Sequence, residues 1–71
     1  MNRDASIRAK VLSMAASHGI KARCVDIWHP DPTTGRFNWR DGARRGVIDI
    51  YQNQVAVYGK DDELVPIEAI S

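Results

Sequence analysis

The chain has 71 residues, of which 44% are hydrophobic and 27% charged, and a formal net charge of +1. This length predicts a single domain over residues 1–71 that buries about 60% of the surface of its unfolded chain. The composition excludes a largely disordered chain, and no apolar run approaches the roughly 20 residues of a membrane span. The small net charge disfavours strong nonspecific attraction to nucleic acid.

Charge is unevenly distributed along the chain. Residues 1–46 hold nine Lys and Arg against four Asp, a formal charge of +5, and residues 47–71 hold one Lys against five acidic residues, a formal charge of −4. The two segments would form an electric dipole if they occupied different faces. A polar N-terminus and a single cysteine, Cys24, which cannot form an internal disulfide, predict a soluble, cytoplasmic protein.

The first predicted element is an amphipathic helix at about residues 4–18. Four apolar side chains and one histidine recur there at helical spacing and share one stripe. They are Ile7, Val11, Met14, Ala15 and His18. Asp4 is a suitable N-cap, and Gly19 is suitable as the left-handed residue that ends the helix. Ile20, just beyond it, is expected to pack back on the helix.

Five strands are predicted next, at about residues 22–28, 36–40, 47–51, 54–58 and 64–67. In the first strand either Val25 with Ile27 or Cys24 with Trp28 could face the core. In the second strand the alternation places Phe37 and Trp39 on one face, and the polar residues Arg36, Asn38 and Arg40 on the other.

Turn-forming residues separate these strands. The segment "HPDPTTG" is expected to reverse the chain, and "DGARRG" opens with an Asp-Gly turn that places Arg44 and Arg45 in a loop. A hairpin is predicted around Gln52 and Asn53, and a further turn at "GKDDE". Pro66 confines the last strand to a sheet edge because it has no N–H to donate, and "PIEAI" is expected to form a short helical turn.

Together these elements predict an α+β fold in which one N-terminal amphipathic helix packs on a four- or five-stranded antiparallel sheet. One or more aromatic side chains are expected to join the core. Its other predicted members are Ile7, Val11, Met14, Val25, Ile27, Ile48, Ile50, Val55, Val57, Leu64 and Ile67.

The sequence predicts a protein without catalytic activity, cofactor or metal. No spacing joins a nucleophile, a base and an orienting carboxylate, and no glycine-rich phosphate loop precedes a helix. His18 is interpreted as a structural cap at the helix end. Cys24, His29 and Asp31 do not have a standard zinc spacing and lack a fourth ligand.

The stretch "GRFNWRDGARRG" carries the predicted functional surface. Arginine suits bidentate contact with carboxylate or phosphate, and tryptophan supplies stacking or anchor area. The candidate partner-binding residues are Arg36, Asn38, Trp39, Arg40, Arg44, Arg45 and Trp28. A plainer interpretation places Phe37 and Trp39 in the core and leaves the arginines to keep a hairpin soluble.

Two classes of partner fit such a surface. A β-ribbon that carries Arg and Asn side chains fits the major groove of DNA. The turn "DPTTGR" resembles hairpin turns in three-stranded DNA-binding domains of recombinases. In those domains the helix follows the sheet, whereas here the predicted helix precedes it. The near-neutral charge favours a protein partner instead. We therefore expect a small protein-binding regulator or inhibitor that occludes a partner's surface, of the size of bacterial or phage accessory proteins, with nucleic-acid binding as the alternative.

Overall fold

The computed structural model describes the backbone of residues 3–70 and the side chains of residues 5–68. One helix, α1 (Arg3–Ala16), precedes four strands, which are β1 (Arg36–Asp41), β2 (Arg44–Asp49), β3 (Gln54–Tyr58) and β4 (Leu64–Pro66). They form one antiparallel sheet in the order β1-β2-β3-β4. The predicted α+β fold, with its N-terminal helix packed on the sheet, is confirmed. Among the described residues, no helix has the length and apolar character needed to cross a membrane.

Helix α1 packs its apolar stripe against one face of the sheet. Val11 and Ala15 are fully buried, and Ile7 is half-buried against the same core. The helix begins at Arg3, so Asp4 lies in its first turn and not at the predicted N-cap position.

Helix α1 ends two residues before the predicted position, with the predicted left-handed glycine after it. The helix ends at Ala16, Gly19 has a φ of +77°, and the N–H of Ile20 donates to the carbonyl of Ala15 at 2.9 Å. This pattern of a left-handed glycine followed by an apolar residue is a common way to end a helix. His18 consequently lies beyond the helix and not on its last turn.

The predicted strand at residues 22–28 does not form. A 3-10 helix covers Ala22–Cys24, and Val25 makes only an isolated bridge to Trp39 of β1. The carboxylate of Asp26 accepts the N–H of Trp28 at 3.0 Å, which turns the chain locally. A side chain that takes a backbone donor in this way competes with a strand ladder. Of the two possible inward pairs, Val25 with Ile27 faces the core, while Trp28 is 71% exposed.

The remaining strands and turns match the prediction closely. The chain reverses over residues 31–35, where the N–H of Gly35 donates to the carbonyl of Asp31 at 2.9 Å. Strand β4 is an edge strand that ends at Pro66, and a 3-10 helix at Ile67–Ile70 follows it, as expected. Strand β2 begins at Arg44, three residues earlier than predicted, because a loop of only two residues joins it to β1.

The core contains aromatic and apolar residues from both layers. Five of its predicted members are buried, and Ile20, Ala15, Phe37 and Trp39 join them. The buried cluster is Val11, Ala15, Ile20, Val25, Phe37, Trp39, Ile48, Val55 and Val57. Ile7, Met14, Ile27, Ile50 and Ile67 pack against it while half-buried. Leu64, also predicted for the core, is half-buried and lies outside the cluster.

Trp39 is fixed in this core by a glycine on the neighbouring strand. Gly46 lies opposite Trp39 in the register of β1 and β2, and the indole Nε1 donates to the carbonyl of Ala56 on β3 at 3.1 Å. A Cβ atom on Gly46 would lie 2.8 Å from that Nε1 and would clash with the Ala56 oxygen. Only glycine therefore lets the indole ring cross β2 at this point.

Candidate functional site

The sheet has two different faces, and α1 covers one of them. Cross-strand partners and residues two apart on a strand share a face. Phe37 and Trp39 therefore face the core together with their β2 partners. On the opposite face, the residues that we call the outer face are Arg36, Asn38 and Arg40 of β1, Arg45 and Val47 of β2, and Ala56 and Tyr58 of β3. Asp49 and Gln54 continue the same side of the sheet at one end.

The outer face has an apolar floor and a polar rim. Val47 and Ala56 are only 5% and 7% exposed, although neither belongs to the cluster beneath α1. Long side chains standing around them on the same face shield them, as arginine does with its aliphatic stem. A shallow groove of about 240 Å³ lies at one end of this face, lined by Cys24, Asp26, Asn38, Trp39, Arg40, Arg45, Gly46 and Tyr58.

Two of the three arginines on the outer face are already paired with carboxylates. Arg36 Nε lies 3.4 Å from Asp49 Oδ2, and Arg45 Nη2 lies 2.7 Å from Asp62 Oδ1. Both pairs join the basic first segment of the chain to its acidic second segment. The charge division read from the sequence is thus partly neutralised across the sheet.

Arg45 and Arg40 complete the rim in different ways. The guanidinium of Arg45 lies 4.3 Å from the centroid of the Tyr58 ring, a cation–π distance. Arg40 is exposed, and no carboxylate within the described part of the chain pairs with it. Arg40 is therefore the cation on this face that is available to a partner.

The other predicted site residues lie elsewhere. Trp39 is 2% exposed, so a partner cannot reach its ring without opening the core, and the expectation that it supplies exposed anchor area is wrong. Arg44 points to the opposite face, where its guanidinium lies 5.8 Å from the Trp39 ring and 4.0 Å from the Asp41 carboxylate. Trp28 is exposed beside α1, away from the outer face.

Sequence reasoning missed three members of the outer face, which are Val47, Ala56 and Tyr58. The alternation in "QVAVY" already puts Ala56 and Tyr58 on the face opposite Val55 and Val57, and this signal was available from the sequence. Cys24 lies near them because of the 3-10 helix at Ala22–Cys24, and no sequence pattern predicts that helix.

Two aspartates near the sheet have lowered pKa values. The N–H of Trp28 and the ring of His29 hydrogen-bond to Asp26 and lower the pKa of its carboxyl. The N–H groups of Thr33 and Thr34 do the same to the pKa of Asp31. Hydrogen bonds to the charged form of a carboxyl favour that form. Both carboxylates thus hold turns in place.

The remaining candidate chemistry is structural. His18 Nδ1 lies 3.4 Å from the Met14 carbonyl oxygen, and His18 Nε2 lies 3.1 Å from Glu68 Oε1. These two contacts join the end of α1 to the C-terminal 3-10 helix. Within the described residues, no three His, Cys, Asp or Glu side chains are grouped so that they could hold a metal ion.

Comparison of the chain with models of protein families, with curated proteins and with solved structures gave no match. The fold and the outer face are therefore the basis for a functional proposal.

Proposed function

We propose that this chain is a non-catalytic protein-binding module that uses its outer face to occupy, and so occlude, a surface of its partner. The observation that carries the proposal is a sheet face that α1 leaves uncovered, on which Arg40, Arg45 and Tyr58 stand around the shielded apolar residues Val47 and Ala56. Arginine and tyrosine are enriched among the residues that dominate the energy of protein interfaces. An apolar centre with a polar rim is the usual anatomy of such interfaces.

Charge favours a protein partner over nucleic acid. Binding to a phosphate backbone gains affinity from each cation that neutralises a phosphate. On the outer face, Arg36 and Arg45 already have carboxylate partners at 3.4 and 2.7 Å, which leaves Arg40 as the exposed cation without one in the described part of the chain. A protein surface that presents one carboxylate opposite Arg40 fits this arrangement better than a polyanion does.

The experiment is affinity capture from native lysate, with and without nuclease, using the parent chain and two matched variants. Arg40→Ala removes a cation from the outer face. Arg44→Ala makes the same charge change near the turn of the same hairpin, but on the opposite face. We expect capture that resists nuclease, that weakens about tenfold or more in Arg40→Ala, and that stays near the parent level in Arg44→Ala.

Two outcomes contradict the proposal. Loss of the captured material on nuclease treatment identifies nucleic acid as the partner. Equal capture by the parent and both variants means that the arginines only keep the hairpin soluble.

A further inference from the structure

A second surface, which we call the Trp28–Tyr51 groove, lies apart from the outer face. It has a volume of about 430 Å³ and runs between the start of α1, the segment 27–32 and the end of β2. Its floor is apolar, and its lining includes Ile7, Ile27, Phe37 and Ile50. Its rim carries the two most exposed large hydrophobic side chains among the described residues, Trp28 and Tyr51, at 71% and 68% exposure.

Both aromatic side chains are held in place although they are exposed. The Tyr51 ring lies against the backbone of Gly35, so closely that a Cβ atom there would be 2.8 Å from two ring carbons. The backbone N–H of Trp28 donates to Asp26 Oδ1 at 3.0 Å, and the guanidinium of Arg8 lies 5.3 Å from the Trp28 ring centroid. Side chains ordered before binding lose less entropy when a ligand arrives.

The groove offers three hydrogen-bond donors that lack an acceptor within the described residues. Within the described part of the chain, no acceptor is paired with the indole N–H of Trp28, the hydroxyl of Tyr51 or the guanidinium of Arg8. Asp31 also lines the groove, and its carboxylate accepts the N–H groups of Thr33 and Thr34 through Oδ1. A ligand that supplies hydrogen-bond acceptors matches these three donors.

We propose that the Trp28–Tyr51 groove binds a proline-rich segment of a protein, in polyproline II conformation, that carries an acidic residue opposite Arg8. Proline has a backbone carbonyl but no N–H, so such a segment brings acceptors without donors. Its rings pack between aromatic side chains, and its stiff backbone loses little entropy on binding. The positive charge of Arg8, unpaired in the described part of the chain, selects the acidic residue. This site is separate from the outer face and does not rest on the proposed function.

Tryptophan fluorescence tests the proposal on the intact chain because the two tryptophans differ so strongly in exposure. Trp39 is 2% exposed and Trp28 is 71% exposed, so a ligand in the groove moves the emission of Trp28 to shorter wavelength. The probes are an oligoproline peptide with one flanking glutamate, the same peptide with glutamine, and a Gly-Ser peptide with the glutamate. We expect a saturable shift with both proline peptides, about two- to five-fold tighter binding of the glutamate form, and no saturable shift with Gly-Ser.

Variants assign the shift to the groove. In Trp28→Phe the shift disappears, in Tyr51→Ala binding weakens about tenfold, and in Arg8→Gln the two proline peptides bind equally. Tyr58→Ala on the outer face and Lys60→Gln in the last turn are the matched controls and bind like the parent, with circular dichroism confirming that each variant folds. The proposal is wrong if no proline peptide saturates, if Gly-Ser binds as tightly, or if Tyr51→Ala behaves like Tyr58→Ala.

Discussion

The substitution Gly46→Ala tests how the core holds Trp39. The new methyl group would meet the Ala56 oxygen and lie 2.8 Å from the indole Nε1, so the ring must shift and release its 3.1 Å hydrogen bond. The buried indole N–H then loses its acceptor, which costs about 1–3 kcal/mol, and overpacking costs about 1–3 kcal/mol more. Alanine returns about 0.4–1 kcal/mol by restricting the unfolded chain, so a net loss of about 1–6 kcal/mol is expected.

Such a loss is a large part of the stability of a domain of this size. Stability of about 0.05–0.15 kcal/mol per residue gives about 4–11 kcal/mol for this chain. The assay is urea unfolding followed by circular dichroism and tryptophan fluorescence. Gly59→Ala is the control because a Cβ there would make only ordinary contacts, the nearest at 3.5 Å to Glu63. A Gly46→Ala variant within about 0.5 kcal/mol of the parent would refute this account of the core.

Three further predictions follow from individual contacts. The pKa values of Asp26 and Asp31 are lowered in the folded state. Their stabilisation is therefore present above the unfolded pKa of about 3.9 and is lost as the pH falls through the lower folded values. Between pH 5 and 2 the urea midpoint should fall less in the double variant Asp26→Asn/Asp31→Asn than in the parent. Gly19→Ala should lower the free energy of unfolding by about 1–2 kcal/mol, since alanine is strained at a φ of +77°, and an unchanged urea midpoint would contradict this. If the outer face bound duplex DNA through its three arginines, log K would fall against log salt with a slope of about −2.7, whereas we expect a clearly shallower slope for the captured protein partner.

Most of the fold could be predicted from the sequence because local rules decide it. The helical spacing of Val11 and Ala15, the left-handed Gly19 and the hairpin turn before β3 each act within a few residues. The strand predicted at residues 22–28 was wrong for an equally local reason. Its alternation of side chains is genuine, but the carboxylate of Asp26 takes the N–H of Trp28 and turns the chain.

The candidate site was less predictable because it depends on register. From the sequence, Arg44 and Arg45 are placed in a loop and both are assigned to one partner-binding surface. The loop has only two residues, so both arginines belong to β2 and point to opposite faces. The burial of Trp39 depends on Gly46, a residue that the sequence marks only as a glycine near a turn. Contacts between strands of this kind are set by packing and not by local pattern.

The measurement that tests the outer face most directly is a titration of the isotopically labelled chain with its purified partner, followed by amide NMR. We predict that the largest shift changes fall on residues 36–40, 45–47 and 56–58, and that Arg40→Ala reduces them while Arg44→Ala leaves them in place. Changes confined to α1 and the residues beneath it, with the outer face unaffected, would contradict the account.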